Sequence, residues 1–333
     1  MNKLTKLGVS ALCGSLAAVS SASAGDLAVT GGIDMSWLSL DDTSTGNNLG
    51  IGSNYTLSGS GELDNGWGVA LAIAMTNAGG MSNTNVTVTV PGAGSFRISQ
   101  GVSGSGIDRM DDMTPNVWEE AYGTGLSTGI NTVSGASGGA GIEWTPDMLP
   151  EGITGRVSYS PDVSGSGTAD GSTSGASTTS GAGYDVTLEL SDAVTGMTGL
   201  TIYGGMSDVA NSSASDDREE ETIGIKYAMG GLTVGYQWSE EDLGTSASEQ
   251  QYENDGYGVT FAINDDLSIG YNHYESQQTS TTNVTAEASS LQVAYSMGGA
   301  SLRIAQAEST NEDYNTAAYY DKDATTISVA LAF

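Results

Sequence analysis

The sequence predicts an all-β fold, a closed up-and-down antiparallel β-barrel of about sixteen strands. Three observations lead to this prediction. Apolar residues alternate with small or polar residues along recurrent segments of about ten residues, which is the period of a β-strand. Short turns and long polar connections alternate along the whole chain, as in a barrel of consecutive hairpins with short turns at one end and long loops at the other. Helical periodicity is scarce in a chain with 48 glycines among 333 residues.

The first predicted strand already has two different faces. Leu27, Val29, Ile33, Met35 and Trp37 share one face, and the residues between them are mostly polar or small. The same alternation recurs in segments that contain Trp67, Tyr184, Ile223, Leu232, Tyr257, Leu291 and Leu302, and in the final segment from Ile327 to Phe333. Each segment therefore separates two environments, either a protein core and water or lipid and water.

The connections between these strands differ in length in a regular way. Short turns are predicted at 64–66, 91–94, 230–231, 264–266 and 298–299. Long polar connections are predicted at 39–48, 77–83, 101–138, 161–182, 209–219, 241–255, 276–286 and 310–323. The Gly/Ser/Thr-rich stretch 163–183 is interpreted as the fourth long loop rather than as a linker, because the strand pattern resumes unchanged after it.

The first residues, MNKLTKLGVSALCGSLAAVSSASAG, have the features of a secretory signal peptide. Lys3 and Lys6 precede an apolar run, and the small residues of Ala22-Ser23-Ala24 follow it. We expect cleavage after Ala24, so that 1–24 is the signal peptide and 25–333 is a single barrel domain. The one cysteine, Cys13, lies within the signal, and the mature chain then has no disulfide.

Charge and hydropathy exclude two classes of protein. The chain has 9 Lys and Arg against 40 Asp and Glu, a net charge of −31, and the signal removes two of the bases. Nucleic-acid binding through a basic patch is therefore excluded, and a solvated surface accounts for most of the carboxylates. No apolar run after Ala24 approaches the roughly 18 residues of a membrane helix. Barrel strands, which are short and half polar, remain compatible with the sequence.

Two further features concern what the apolar face contacts. Trp and Tyr recur near strand ends, as in the aromatic girdles of membrane barrels, although aromatic residues favour strands in general. Arg97, Arg156, Lys226 and Arg303 all lie on the side opposite the apolar residues of their strands. A lipid-facing Arg or Lys costs about 2–4 kcal/mol at the bilayer midplane, so a membrane barrel requires this placement. The same placement of the four bases would be equally favourable on the solvent-exposed face of a soluble β-sandwich.

Taken together, these features resemble a known family. The signal peptide, the hairpin pattern, a much longer third loop and the terminal SVALAF ending on Phe333 resemble a general bacterial porin of the sixteen-stranded, trimeric alphaproteobacterial type. The resemblance covers 25–333. It implies a homotrimer in the outer membrane, in contact with membrane lipids and lipopolysaccharide, with short periplasmic turns and long extracellular loops. It further implies passive diffusion of small hydrophilic solutes and cations, no reaction, no cofactor, and a sorting signal at Phe333 that the barrel assembly machinery reads.

The third long loop contains the densest group of charges, in GIDRMDDMTPNVWEEAYG at 106–123. The charged residues are Asp108, Arg109, Asp111, Asp112, Glu119 and Glu120. The resemblance implies that this loop folds into the lumen and forms the constriction, with its acids facing the wall bases Arg97, Arg156, Lys226 and Arg303. Because acids outnumber bases, also at Asp26, Asp34 and Glu189, we expect a cation-preferring channel. Alternatively, the acids are solvated or bind Ca²⁺, although no D-x-[DN]-x-[DN]-G loop is present.

Three alternatives compete with a general channel. An outer-membrane phospholipase or protease needs a histidine base, and this chain has only His273. His273 is in phase with Ile269 and Tyr271, which predicts a lipid-facing girdle residue, whereas Ser276 and Asn272 are out of phase with it. A secreted or surface-attached acidic adhesive protein would fit the composition but would not require the terminal Phe333. A substrate-specific channel is the third alternative.

Overall fold

The computed structural model describes residues 27–41, 48–77, 81–100, 104–130, 132–136, 139–163, 180–211, 216–244, 251–279 and 283–332. The predicted signal peptide, Asp26 and Phe333 lie outside the described residues.

Sixteen antiparallel strands form one closed barrel. The strands are β1 Ala28–Leu40, β2 Leu49–Glu62, β3 Gly68–Met75, β4 Met81–Val90, β5 Gly94–Gln100, β6 Gly141–Thr145, β7 Ile153–Ser160, β8 Ser180–Leu190, β9 Leu200–Asn211, β10 Arg218–Met229, β11 Leu232–Asp242, β12 Gln251–Ala262, β13 Leu267–Thr279, β14 Val284–Met297, β15 Ala300–Thr310 and β16 Lys322–Ala332. Each strand pairs with its neighbours in sequence, and β1 also pairs with β16. The predicted up-and-down barrel is confirmed.

The two ends of the barrel differ as the sequence predicts. The five predicted short turns all lie at one end, the end at which β1 begins and β16 finishes, and the long connections lie at the other. Two connections at the short-turn end are longer than a tight turn, 146–152 and 191–199, and the second contains the short helix α1, Asp192–Thr195. Ser191 caps α1 by accepting a hydrogen bond from the N–H of Ala193. Among the described residues, no helix is long and apolar enough to cross a membrane.

Most large apolar side chains of the strands face outward, whereas Tyr203, Val209 and Tyr274 are buried inside the barrel. Ile51 is 70% exposed and Met297 is 66% exposed, and the predicted apolar faces of the other strands point the same way. Such a continuous exposed apolar band would promote aggregation in water, but it is the lipid-contacting surface of a membrane barrel. The predicted alternation therefore separates lipid from the barrel interior.

The closing seam between β1 and β16 shows how this alternation sets the register. Met35 lies directly opposite Val329 and Trp37 lies opposite Ile327, which brings apolar residues together on the outer face. A shift of one residue would turn every side chain of the strand to the opposite face. The alternation near the C-terminus thus determines how the barrel closes.

Candidate functional site

Loop 3 is the connection 101–140 between β5 and β6, and its described residues, 104–130, 132–136 and 139–140, lie inside the barrel and supply much of its core. It contains two 3₁₀ helices, Gly106–Met113 and Ala121–Gly123. Ile107 and Met110 are fully buried and pack with Tyr203 of β9, whereas Ala121 packs with Tyr274 of β13. The prediction that the third loop folds into the lumen is confirmed.

Glycines on the inner wall allow the middle of loop 3 to approach the backbone of the barrel. A Cβ atom added at Gly235 of β11 would lie 2.5 Å from Pro115 Cδ, and one added at Gly258 of β12 would overlap the Pro115 carbonyl oxygen. A Cβ added at Gly270 of β13 would lie 2.5 Å from a methyl group of Val117. Three adjacent strands therefore form a shallow depression for the loop, because they lack side chains there.

Gln292 on β14 holds the next part of loop 3. Its side chain is fully buried, and its Oε1 accepts hydrogen bonds from the backbone N–H groups of Val117 at 3.3 Å, Trp118 at 2.9 Å and Glu119 at 3.4 Å. Its Nε2 donates to the carbonyl oxygen of Glu119. Asn272 of β13 donates to the same carbonyl oxygen at 3.1 Å. These contacts satisfy backbone groups that have no secondary-structure partner.

Three buried wall carboxylates hold the two ends of loop 3 by accepting hydrogen bonds from its backbone N–H groups. The bonds join Glu143 to Gly106 at 2.7 Å, Asp185 to Ile107 at 3.2 Å and to Ala136 at 2.9 Å, and Glu220 to Ser134 at 2.9 Å and to Gly135 at 2.6 Å. Hydrogen bonds to a charged group contribute about 1.5–3 kcal/mol each. The loop is thus fixed to the wall by acids as well as by apolar packing.

No motif in the sequence marks Glu143, Asp185, Glu220 or Gln292. Each lies on the polar face of its strand, where the sequence predicts only contact with water. Their partners are 37 to 175 residues distant in the chain, as with Glu143 and Gly106 or Gln292 and Val117. An acid near the loop end of a predicted strand is a weak signal, because solvated acids are common there.

The five predicted loop acids fall into two groups. Asp112 and Glu119 are exposed and Asp108 is partly buried, whereas Glu120 is only 3% exposed. Asp111 accepts hydrogen bonds from the hydroxyl groups of Tyr122, at 3.1 Å, and Thr132. Water inside the barrel therefore meets mainly Asp112 and Glu119 among these acids.

Burial changes the protonation of the loop acids. Burial raises the pKa of Asp111 to about 6, partly offset by the hydrogen bond from Thr132. Burial is also the largest cause of the raised pKa of Glu120, followed by its hydrogen bond with Glu119. Burial and the charge of Glu119 raise the pKa of Asp112. Glu120 is therefore held in its neutral form near neutral pH, and its carboxyl accepts a hydrogen bond from Asn116.

The predicted wall bases lie on the inner faces of their strands, and two of the four form ion pairs with wall carboxylates. Arg156 of β7 pairs with Glu189 of β8, and Arg303 of β15 pairs with Asp34 of β1. The Arg303 guanidinium also lies 5.0 Å from the centre of the Trp118 ring in loop 3. Arg97 donates a hydrogen bond to the carbonyl oxygen of Gly104 in loop 3 at 3.1 Å. Lys226 of β10 is paired in the sheet with Thr201 of β9 and Gly235 of β11.

Arg109, the base within loop 3, does not point toward the loop acids. It forms an ion pair with Glu143 on the wall strand β6. The pair ties the first 3₁₀ helix of loop 3 to the wall and neutralises one positive charge of the loop. The negative charge of Asp112 and Glu119 is therefore left uncompensated by the base closest to them in sequence.

Three loop acids come close enough to share a cation. Carboxylate oxygens of Asp112, Glu119 and Glu120 all lie within 4.8 Å of one another. Asp108 and Asp111, the other acids of the sequence DRMDD, do not belong to this group. Ca²⁺ binding by the loop acids stays one of the two alternatives that the sequence left open.

His273 lies on the outer face of β13, as its phase predicts. Its ring centre is 5.1 Å from that of Tyr257, and its Nε2 is 3.2 Å from Glu275 Oε1. Ser276 and Asn272 point into the barrel, where Ser276 bonds Tyr314 and Asn272 bonds loop 3. The sheet separates these side chains from His273, so they do not form a hydrolytic triad with it.

A barrel with a long third loop packed inside it can be compared with known proteins. A sequence profile of the Gram-negative porin family matches residues 8–314. The chain belongs to the Gram-negative porin family. As a porin, it forms an outer-membrane channel, and the adhesive-protein alternative is thereby overturned. Among curated proteins, none matches the sequence closely enough to count as a relative.

Solved structures share the fold of this porin at low sequence identity. An anion-selective porin from Comamonas acidovorans is 13% identical, with a TM-score of 0.68 over 92% of this chain and 99% of that chain. OmpT, an outer membrane protein of Vibrio cholerae, is 12% identical, with a TM-score of 0.65 over 95% and 100%. A mutant of the Rh. blastica porin is 14% identical, with a TM-score of 0.61 over 92% and 100%. These likenesses extend to the fold and not to ion selectivity.

Proposed function

We propose that this porin is a cation-preferring channel for passive diffusion of small hydrophilic solutes and ions, without enzymatic activity. The exposure of Asp112 and Glu119 on a loop inside the barrel carries the proposal. These carboxylates meet the water path, whereas Arg109, Arg156 and Arg303 are paired with other acids. A narrow channel lined by uncompensated carboxylates raises the local concentration of cations.

The proposal includes the assembly and location of the mature chain. We propose that 1–24 is cleaved and that 25–333 forms a homotrimer that contacts lipopolysaccharide and other outer-membrane lipids. Loop 3, with Asp108, Arg109, Asp111, Asp112, Glu119 and Glu120, is proposed to be the constriction, and Arg97, Arg156, Lys226 and Arg303 to line the wall. Support comes from the family membership and from the packing of the loop against the inner wall.

The deciding experiment is single-channel recording in a planar bilayer with a salt gradient. We expect a stable open channel whose reversal potential has the sign for cations and whose preference weakens at high salt, because exposed charges are screened. An anion-selective reversal potential would reject the cation preference. Strong block by one solute at low concentration would instead indicate a substrate-specific channel.

Acidification is expected to weaken the cation preference. Between about pH 7.5 and about pH 5, Asp111 gains a proton because its pKa is raised to about 6, whereas an ordinary aspartate stays ionised. Reversal potentials at the two pH values measure this loss of negative charge. In Asp111→Asn the change with pH should be clearly smaller. An identical change in the variant would show that other groups titrate.

Deletion of Phe333 is expected to lower severalfold the amount of assembled, heat-modifiable porin in the outer membrane. The reason is the proposed role of the terminal aromatic residue in recognition by the barrel assembly machinery. Immunoblots of unheated membrane fractions measure assembly, and Phe333→Tyr, which keeps the aromatic ring, serves as the control. Normal assembly of the deletion variant would disprove the sorting role.

A further inference from the structure

The loop end of the outer face carries a row of directly opposed carboxylates. Glu275 of β13 lies opposite Asp255 of β12 on one side and opposite Glu287 of β14 on the other. Like charges placed directly opposite each other in an antiparallel sheet are destabilising. Tyr236 donates a hydrogen bond to Asp255, which offsets part of this repulsion at one end of the row.

The bases of the described chain cannot neutralise this row. Their side chains lie on the inner wall or in loop 3, as Arg303 does beside Asp34 and Arg109 does beside Glu143. The nearest positively ionisable side chain on the outer face of β13 is His273, two residues before Glu275. A ligand that compensates the row must therefore come from outside the chain.

His273 makes this position different from an ordinary group of surface acids. Its Nε2 lies 3.2 Å from Glu275 Oε1, and ligand atoms of His273, Glu275 and Glu287 all lie within 4.8 Å of one another. The side chain of His273 is only 14% exposed, and its ring rests against Tyr257. The imidazole nitrogen is thus held beside the two carboxylates, on two adjacent strands.

We propose that His273, Glu275 and Glu287 bind one divalent transition-metal ion, for which Zn²⁺ is the probe. One imidazole with two carboxylates is a donor set that suits Zn²⁺, whereas Ca²⁺ and Mg²⁺ prefer oxygen ligands alone. Tetrahedral Zn²⁺ with bonds of about 2.0–2.1 Å needs donors about 3.4 Å apart. His273 Nε2 and Glu275 Oε1, 3.2 Å apart, already meet this spacing. The ligand atom of Glu287, which lies within 4.8 Å of both, needs to approach by at most roughly 1.4 Å. Water completes the coordination.

The bound ion links β13 to β14 and compensates two of the three opposed carboxylates. His273 lies directly opposite Tyr257, and Glu275 and Glu287 lie opposite each other one position closer to the loop end on the same face. Because the site is outside the barrel, it is independent of the proposed ion path past Asp112 and Glu119.

The test is calorimetric titration of Zn²⁺ into the detergent-purified, EDTA-treated porin. We expect one saturable site per chain, which excess Ca²⁺ does not displace. His273→Gln and Glu287→Gln should each weaken binding by at least about tenfold, because each removes a direct ligand. Glu221→Gln, which removes an exposed outer-face carboxylate on β10, should change binding by less than about twofold, since remote sites act independently.

A second measurement separates the site from general attraction of cations to an acidic surface. Samples are incubated at increasing temperatures and run on gels, where the folded barrel and the unfolded chain migrate differently. Zn²⁺ should raise the temperature at which the folded band disappears in the unmodified porin but not in His273→Gln. His273→Gln should leave the reversal potential unchanged. Zn²⁺ binding that is absent, that Ca²⁺ displaces equally, or that survives in His273→Gln would overturn the proposal, whatever the ion selectivity of the channel.

Discussion

In the double variant Asp112→Asn/Glu119→Gln, the cation-over-anion permeability ratio is expected to fall by roughly twentyfold to thirtyfold. A unit charge about 5 Å from a passing ion contributes about 0.8 kcal/mol in water, and screening over a Debye length of about 8–10 Å reduces this to about 0.5 kcal/mol. Two charges then attract a cation by about 1 kcal/mol and repel an anion by the same amount, so the ratio changes by about 2 kcal/mol. Reversal potentials in a salt gradient measure the change directly.

The matched control removes the same charge from the outside of the barrel. Glu221 and Glu308 are exposed on the outer faces of β10 and β15, in phase with Ile223 and Ile304. The variant Glu221→Gln/Glu308→Gln should keep the selectivity of the unmodified porin. If both double variants behave alike, or if the loop variant retains full cation preference, loop 3 is not the selectivity-determining constriction.

The acids of loop 3 differ in burial and therefore in ionisation state, although they look equivalent in the sequence. Glu120 is buried with a raised pKa, so Glu120→Gln replaces a neutral carboxyl with a neutral amide of similar shape. We expect Glu120→Gln to leave the reversal potential close to that of the unmodified porin. A loss of selectivity as large as that of the Asp112→Asn/Glu119→Gln variant would contradict the neutral state of Glu120.

Gly258→Ala is expected to displace loop 3 and to lower the single-channel conductance. The added methyl group would overlap the carbonyl oxygen of Pro115, and both groups belong to the backbone or are bonded directly to it. Loop 3 must therefore move away from the wall, by about 1 Å, to restore van der Waals contact. Because the loop lies inside the barrel, this movement narrows the water path and loosens the hydrogen bonds around Gln292.

Gly68→Ala on β3 is the control for this substitution. Its nearest contact would be the Cβ atom of Thr89 at 3.6 Å, an ordinary van der Waals distance. Gly68→Ala should therefore conduct like the unmodified porin, and both variants should remain heat-modifiable barrels. Unchanged conductance and current noise in Gly258→Ala would show that loop 3 does not rest on β12.

The sequence alone predicts the barrel, its strand count of about sixteen and the facing of most strand side chains. Tyr203, an aromatic residue near a strand end that would be expected in the outer girdle, is instead buried inside against loop 3. Alternation with a period of two is a local property. Each segment, such as that of Met35 and Trp37, therefore shows by itself which of its two faces is apolar and contacts lipid. The difference between lipid and water makes that orientation costly to reverse. The short turns and long loops followed from glycine and polar residues at fixed positions, which is why the two ends of the barrel were also predicted.

The way in which loop 3 is held, and the exposure of its acids to water, can be seen only in the folded barrel. The loop has no repeating pattern, and its environment is set by residues far away in the chain, such as Gln292 beside Trp118 and Gly258 beside Pro115. Burial, which depends on those distant partners, separates Glu120 from the exposed Glu119 although the two are adjacent in sequence. Long-range packing thus determines the charge of the loop, because desolvation and not residue type decides which carboxyl is ionised.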